Sequence, residues 1–285
     1  MQDYSSNGES ADIRLLKRGT FPLGVRKYAL TAGDSTFEAV ARKEEGGLSV
    51  SFSSQVGCAV GCSFCATGFQ GFNRNLTEGE MIAQIEAVVA DVGGHLARVE
   101  ASAQGEPLLN VGHLVPVLER YSRLLSEWNG ALPRASGIGL CTCGVVGGIE
   151  CLSDCGTSVD LKVSLHSADQ KMRDKLMPGA ARWPLSRLKR ALSRYCESGK
   201  NVTLTWALMK GVNDDARSRE ALARFCDDLP CSVSVTAMKV DGGIDGEVGL
   251  QEARSYADAL ARCGIAARVC AADPPHPVSV KLYPR

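Results

Sequence analysis

The stretch Cys58-Ala-Val-Gly-Cys62-Ser-Phe64-Cys65 places three thiols within eight residues. An apolar, β-branched segment at residues 48–54 precedes it and predicts a strand. Beyond it, Thr77 followed by Glu80 predicts a capping box at the start of an amphipathic helix. The three cysteines are therefore expected in a loop that joins a strand to a helix.

Strand and helix patterns continue to alternate from this loop to residue 270, which is typical of repeated β-α units around a parallel sheet. The predicted fold class is α/β, a partial (β/α)6-type TIM-like barrel with a short N-terminal β-hairpin. The predicted strands are residues 48–54, 97–101, 138–141, 159–165, 202–208, 232–237 and 266–270. The predicted helices, after the one that Thr77 begins, are residues 111–126, 184–197, 217–227 and 251–262.

The length of 285 residues suits one barrel domain and is too short for a second full domain. Residues 1–24 are predicted to be a flexible segment, and residues 25–285 the barrel domain. Within that domain we assign residues 25–47 to the hairpin, 48–270 to the barrel core and 271–285 to a C-terminal tail.

Charge and cysteine content limit the classes of function. Lysine plus arginine and aspartate plus glutamate both number 32, so the net charge gives no reason to expect an extended phosphate backbone as partner. No apolar run has the length of a membrane span, and the polar opening lacks the layout of a secretory signal, so we expect a cytoplasmic protein without a membrane partner. Twelve cysteines then favour metal or redox chemistry over disulfides. Cys196, Cys226 and Cys263 fall in helical patterns and are predicted to be core residues.

Three closely spaced thiolates can each bind one iron of a 4Fe–4S cluster and leave the fourth iron without a protein ligand. An open iron can chelate S-adenosylmethionine (SAM), pass an electron to its sulfonium and release a 5′-deoxyadenosyl radical. A structural zinc site would need a fourth ligand at short spacing, and none follows Cys65. The predicted cofactors are thus the cluster, held by Cys58, Cys62 and Cys65, and SAM. The predicted electron donor is of flavodoxin or ferredoxin type.

The Cys-x3-Cys-x2-Cys spacing, with Phe64 before the last cysteine, resembles the signature of the radical SAM superfamily. Five further motifs resemble one family within it, the ribosomal and transfer RNA adenine carbon-2 methyltransferases RlmN together with the resistance enzyme Cfr. These motifs are Ser53-Ser54-Gln55-Val56-Gly57-Cys58, Gln70-Gly71-Phe72-Asn73-Arg74-Asn75-Leu76, Gly105-Glu106-Pro107-Leu108-Leu109-Asn110, Ser164-Leu165-His166 and Val212-Asn213-Asp214.

The resemblance implies that Gly105 and Glu106 meet the methionyl amino group, and that Ser164 and His166 line the ribose and carboxylate side. Barrel enzymes place such groups at the C-terminal ends of strands, which agrees with these positions. It also places Glu38 where the family has a proposed proton acceptor, although an exposed hairpin glutamate is the alternative. The full set of cofactor-binding residues predicted in this way is Phe64, Gly105, Glu106, Cys141, Ser164, Leu165, His166 and Lys239.

The sequence departs from the family at both methylation cysteines. The family methylates through one cysteine near the C-terminus and resolves the covalent intermediate with a second, seven positions before the cluster. Ser51 occupies the resolving position, and a serine cannot form the disulfide that releases product. No cysteine follows Cys270, and the family's N-terminal RNA-binding extension is not found. We therefore expect a chain that keeps the residues for generating the radical and lacks the two cysteines through which the family transfers the methyl group.

Extra cysteines lie where the substrate is expected. Cys141, Cys143 and Cys270 fall at strand ends, which converge at a barrel mouth. They could ligate an auxiliary Fe–S cluster, donate sulfur, or return a hydrogen atom from a thiol. Cys151 and Cys155 follow closely, with simple packing on one helix face as the alternative.

Three hypotheses follow, and the first is hydrogen abstraction from a small molecule, such as a nucleoside or nucleotide in a biosynthetic pathway, with sulfur insertion as a narrower version. RNA is then the less favoured partner. The second is a diverged RNA adenine methyltransferase in which Cys270 carries the methyl group. The third is a non-catalytic Fe–S or zinc protein that keeps the fold as an interaction module. As catalytic residues, the sequence thus nominates Glu38 and Cys270.

Overall fold

The computed structural model describes residues 12–21, 24–44, 46–129, 137–237 and 248–270. Ten strands of this part form one sheet in the order β1-β2-β3-β4-β7-β8-β9-β10-β11-β12. The strands of this sheet are β1 (Ile13–Thr20), β2 (Arg26–Ala32), β3 (Ser35–Glu44), β4 (Gly47–Phe52), β7 (Leu96–Ala101), β8 (Ile138–Thr142), β9 (Asp160–Ser164), β10 (Val202–Leu208), β11 (Cys231–Ala237) and β12 (Ala266–Cys270).

The sheet has an antiparallel part and a parallel part that meet at β4. Strands β1 to β4 form an antiparallel meander, whereas β4, β7 and all later strands pair in parallel. Six β-α units and a final strand make up the parallel part, as the partial barrel prediction requires. The helices are α1 (Ala66–Phe69), α2 (Glu78–Val92), α3 (Val111–Asn129), α4 (Val146–Asp154), α5 (Gln170–Leu176), α6 (Leu185–Glu197), α7 (Ala216–Cys226) and α8 (Leu250–Arg262).

Alternation along the strands separates the core from the barrel interior. In β10, Val202, Leu204 and Trp206 are buried among the outer helices, at 3% exposure or less. Thr203 and Thr205 point to the opposite face, because successive side chains of a strand alternate. The apolar core therefore lies between sheet and helices, and polar side chains line the interior.

The predicted hairpin is confirmed by β2 and β3, which pair around the turn at Gly33-Asp34. The structure adds β1, within residues that the sequence assigns to a flexible segment. The sequence does not predict β1, because this edge strand is largely exposed and carries charged side chains, so polar and apolar residues show no regular alternation. The strand forms by pairing with β2.

The cysteines predicted as core residues differ in environment. Cys226 is buried and Cys196 is partly buried, but Cys263 is exposed because it follows the last residue of α8 on the solvent side. None of the helices in the described part of the chain is both long and apolar enough to cross a lipid bilayer.

Candidate functional site

The cysteine loop follows β5 (Gln55–Gly57), which pairs with β6 (Phe72–Asn75) beyond the loop to form a separate two-stranded sheet. Cys58 N–H donates to the carbonyl oxygen of Gly71 at 2.9 Å, which fixes the start of the loop. Gly57 has a φ of 74°, and a Cβ there would lie 1.8 Å from the Gly71 oxygen. Only a glycine permits this close crossing of two backbones.

A second segment closes over the loop from the other side. It consists of α5 and the 3-10 helix Pro178–Arg182. Ser63 N–H donates to the Leu176 carbonyl oxygen at 2.9 Å, and Gly179 N–H donates to the Val60 carbonyl oxygen at 2.8 Å. The backbone between Cys58 and Cys65 is therefore held on both sides before any ligand binds.

The three loop thiols lie close enough together for the charge of one to affect another. Burial raises the pKa of Cys58 to about 11 and that of Cys62 further, and the neighbouring thiols add to both shifts. A thiol must lose its proton to bind iron, so loading a metal here would release protons. Sites of this kind bind metal more tightly as the pH rises.

The donor set of three cysteine thiols has the chemistry that a 4Fe–4S cluster requires. Among the residues that the structure describes, no three His, Cys, Asp or Glu side chains converge closely enough to hold one metal ion. A mononuclear site needs all its ligands within bonding distance of one centre. A 4Fe–4S cluster instead takes each thiolate on a different iron, which demands a wider triangle of sulfurs.

Glu106 is the most enclosed carboxylate of the site, with 3% exposure. Its side chain accepts hydrogen bonds from Thr142 Oγ1 at 2.6 Å, Cys143 N at 2.6 Å and Leu108 N at 3.1 Å. Burial raises its pKa above the ordinary value, although the three hydrogen bonds act in the opposite direction. The carboxylate thus joins the end of β7 to the end of β8.

His166 follows β9 with a backbone φ of 54°, an uncommon conformation for a residue with a side chain. Asn213 Nδ2 donates to the His166 carbonyl oxygen at 2.8 Å, and His166 Nδ1 accepts from Ala207 N–H at 3.0 Å. The ring meets Phe64 edge to face at 5.0 Å between centroids. Burial lowers the His166 pKa to about 3, so the ring is neutral near pH 7.

The remaining predicted cofactor residues divide between two environments. Ser164 Oγ lies 3.6 Å from Cys141 Sγ and 3.4 Å from Thr205 Oγ1, so the three side chains form one polar group. Leu165 is wholly buried in the core and offers a ligand only its backbone. Lys239 lies outside the described residues.

Glu38 and Ser51 share the interior face of the sheet. Ser51 pairs with Val40 across β3 and β4, and Glu38 precedes Val40 by two residues. Glu38 is 8% exposed, so the expectation of an exposed hairpin glutamate is wrong. Its Oε1 has no hydrogen-bond partner, and burial raises the Glu38 pKa although the Lys27 charge lowers it.

A band of ion pairs crosses the interior below these residues. Lys162 Nζ lies 2.8 Å from a Glu100 oxygen, and Arg98 Nη1 lies 2.8 Å from an Asp160 oxygen. The band lines a cavity of about 890 Å³ that also reaches Arg268 of β12. Charged residues in strands usually indicate a solvated face, so the sequence pattern does not predict this band.

The extra cysteines lie in unlike places. Cys143 is buried beside Glu106, whereas Cys270 is exposed at the end of β12, opposite Thr236. Cys151 is exposed on α4, and Cys155 Sγ donates to the Leu152 carbonyl oxygen at 3.2 Å. The packing alternative therefore fits Cys155 and not Cys151.

A partial barrel with a cysteine loop after its first parallel strand, and polar groups at the following strand ends, defines the class of radical SAM enzymes. The model of the Radical SAM superfamily matches residues 52–225. A probable dual-specificity RNA methyltransferase RlmN from Moorella thermoacetica is 35% identical over 92% of this chain and 76% of its own length. A second, from Pelodictyon phaeoclathratiforme, is 38% identical over 70% of this chain but only 57% of its own length.

Among solved structures, a radical SAM methyltransferase from Sphaerobacter thermophilus is 32% identical with a TM-score of 0.81, and the match covers 91% of this chain and 77% of that one. The chain belongs to the radical SAM superfamily and, within it, to the family of its RlmN relatives. It is therefore an enzyme of the class that uses a 4Fe–4S cluster and SAM.

Proposed function

We propose that Cys58, Cys62 and Cys65 hold a 4Fe–4S cluster whose open iron binds SAM. When bound and reduced by a small electron-transfer protein of flavodoxin or ferredoxin type, the cluster supplies the electron that cleaves SAM. The observation that carries this proposal is the loop itself, which brings three thiols together within eight residues and is held on both sides by backbone hydrogen bonds.

The strand ends would position SAM. Glu106 accepts three hydrogen bonds from the protein, so we assign it the role of holding together the strand ends that flank the ligand. His166 is neutral, and with Nδ1 occupied by Ala207 N–H its Nε2 carries the proton and can donate one hydrogen bond. Ser164 adds a hydroxyl beside Cys141.

As substrate we propose an adenine base in RNA, the second of the sequence hypotheses. The names of its relatives favour this reading over a small molecule. Phe69 and Phe72, at 70% and 49% exposure, support it because both rings lie beside the cysteine loop and are open to solvent. Exposed aromatic rings are what proteins use to stack unpaired RNA bases.

Cys270 is the candidate methyl carrier in this proposal. It is exposed at the C-terminal end of β12, the level at which the other strands present cofactor groups. Ser51 cannot resolve a covalent intermediate, so release would need another thiol. Cys141 is suited to this by its position beside Ser164.

The test is methyl transfer by anaerobically reconstituted protein, with methyl-labelled SAM, a chemical reductant and unmethylated ribosomal or transfer RNA. We expect label in adenine and 5′-deoxyadenosine as the coproduct. Cys270→Ala should abolish transfer, whereas Cys263→Ala, which removes another exposed cysteine, should not. Transfer that survives Cys270→Ala would remove the carrier assignment.

A second candidate is hydrogen abstraction from a small polar molecule. The charged band below the site favours it, because an interior lined by Arg98, Glu100 and Lys162 suits a charged ligand. Formation of 5′-deoxyadenosine without labelled RNA would select this candidate. No cleavage of SAM by cluster-loaded protein would contradict both.

A further inference from the structure

Arg173 lies near the middle of α5 and is 0% exposed. Its Nη2 donates to the Cys143 carbonyl oxygen at 2.5 Å and its Nη1 to the Ala180 carbonyl oxygen at 3.4 Å. Its Nε has no hydrogen-bond partner. A fully buried guanidinium that meets only carbonyl oxygens is costly, because removing an ion from water costs several kcal/mol.

No carboxylate in the described part of the chain forms an ion pair with Arg173. Asp174, the nearest acidic neighbour along the helix, instead accepts a hydrogen bond from Gln170. The charge of Arg173 acts on the thiols of Cys143 and Cys62, on the Asp174 carboxylate and on the ring of His166. Asp174 acts on Arg173 without forming an ion pair with it, so the remaining groups that can carry compensating negative charge, Cys62 and Cys143, lie on the side of the cysteine loop.

The same helix is attached to that loop. Its last residue, Leu176, accepts from Ser63 N–H, and Ser63 is next to Cys62. Arg173 is thus held at a fixed position relative to one of the three loop thiols. A rigid, permanent charge at such a position changes the electrostatic potential of whatever the thiols bind.

We propose that Arg173 is the counter-charge of the cluster and raises its reduction potential. With three thiolates, the cluster is a net anion that gains one further negative charge on reduction. A buried cation beside it stabilises the reduced form more than the oxidised form. Arg173 then acts through the cluster, by setting its reduction potential, and touches neither SAM nor substrate.

This inference rests on the cluster proposed above, and the two are tested by different readouts. Iron and acid-labile sulfide per chain report whether the cluster is present. The midpoint potential, measured by electron paramagnetic resonance during a redox titration without SAM, reports the effect of Arg173.

Arg173→Gln keeps a hydrogen-bond donor and removes the charge, while Arg173→Lys keeps the charge. At a fixed potential we expect the ratio of reduced to oxidised cluster to fall about tenfold in Arg173→Gln, which is about 59 mV for one electron. Arg173→Lys should stay within about threefold of the wild-type ratio. Lys175→Gln, an exposed change on the same helix, should leave the potential unchanged.

Equal shifts in Arg173→Gln and Arg173→Lys, or no shift in either, would overturn the proposal. If Arg173→Gln fails to take up iron while Arg173→Lys takes it up, the charge is needed for the cluster to assemble, which supports the role of Arg173 as its counter-charge. If neither variant takes up iron, Arg173 is a packing residue and the proposal is wrong.

Discussion

At the scale of the residue, the sequence motifs identify Glu106 and His166, and burial in the folded chain changes the pKa of both side chains. The resemblance predicts Glu106 and His166 as cofactor residues from their motifs, and the structure brings both to the strand ends around the cysteine loop. The resemblance does not predict the hydrogen-bond partners of Glu106 and His166. These partners, Thr142, Cys143 and Ala207, come from other strands and meet the two side chains only in the folded chain. These partners determine what each side chain can donate or accept.

Glu106→Gln should destabilise the protein by about 1–3 kcal/mol. Three donors converge on the carboxylate, and an amide offers one acceptor oxygen, so at least one buried donor loses its partner or meets an N–H group. Chemical unfolding of the apoprotein measures the change. Glu150→Gln, an exposed change on α4, is the control and should have no effect. Equal stability of the two variants would contradict the role given to Glu106.

His166 should make the apoprotein less stable in mild acid. Its pKa is about 3 in the fold and about 6.5 when exposed, so between these values the unfolded chain binds a proton that the native chain excludes. Stability from this source is complete above pH 6.5 and falls by up to about 1.4 kcal/mol per pH unit below it. His166→Gln should flatten the unfolding free energy between pH 6 and pH 4, relative to wild type. His113→Gln, on the exposed face of α3, should keep the wild-type slope.

At the scale of the element, strong patterns gave accurate bounds and short segments did not. Strand β10 matches the predicted residues 202–208, because β-branched and apolar residues fill it. Strand β12 also matches the predicted residues 266–270. Helix α5 was not predicted, and α4 was considered only as an alternative for Cys151 and Cys155, since seven and nine residues are too few for a helical period to stand out. Yet α5 carries Arg173 and holds the cysteine loop, so a functional part of the site had no sequence signal.

Gly179→Ala should push the 3-10 helix away from the cysteine loop. A Cβ at Gly179 would lie 2.6 Å from Val60 Cα and 2.7 Å from the Val60 carbonyl oxygen, both backbone atoms. Overpacking of this kind costs about 1–3 kcal/mol. We also expect less iron per chain after reconstitution, because the loop loses one of its two supports. Gly112→Ala, a helical position with nothing within 4 Å, is the matched control and should be neutral or stabilising. Normal iron content in Gly179→Ala would show that the segment does not hold the loop.

At the scale of the whole molecule, the barrel interior is polar from the strand ends down to the cavity. Glu100 is nearly enclosed there, and burial raises its pKa while the charges of Lys162 and Arg98 lower it by more. The ion pairs therefore keep the carboxylate charged inside the sheet. Sequence patterns could not predict these ion pairs, because a lysine in a half-buried strand gives the same sequence pattern whether its partner is water or a glutamate.

Lys162→Met should cost about 2 kcal/mol near pH 7, because it leaves Glu100 with one partner. The estimate is below the value for a fully buried pair, since the Lys162 side chain is 34% exposed. Glu100 stabilises the fold only while it is ionised, so the difference from wild type should shrink as the pH falls through the carboxylate range. Denaturant unfolding at pH 7 and pH 4 measures this, with Lys171→Met on the surface of α5 as control. A difference that does not depend on pH would mean that the effect is packing.

The sheet of the described residues runs from β1 to β12 with those two strands as its edges. In a closed barrel, the number of strands and their stagger fix the diameter. In an open sheet the number of strands and their stagger do not fix the inner width. That width depends on the twist between neighbouring strands and on how many strands the sheet has toward each edge. Adding or removing an edge strand can change the size of molecule that fits, without moving the strands that carry Glu106 and His166. In this architecture the range of substrates can change at the margins of the sheet while the radical chemistry at its centre stays the same.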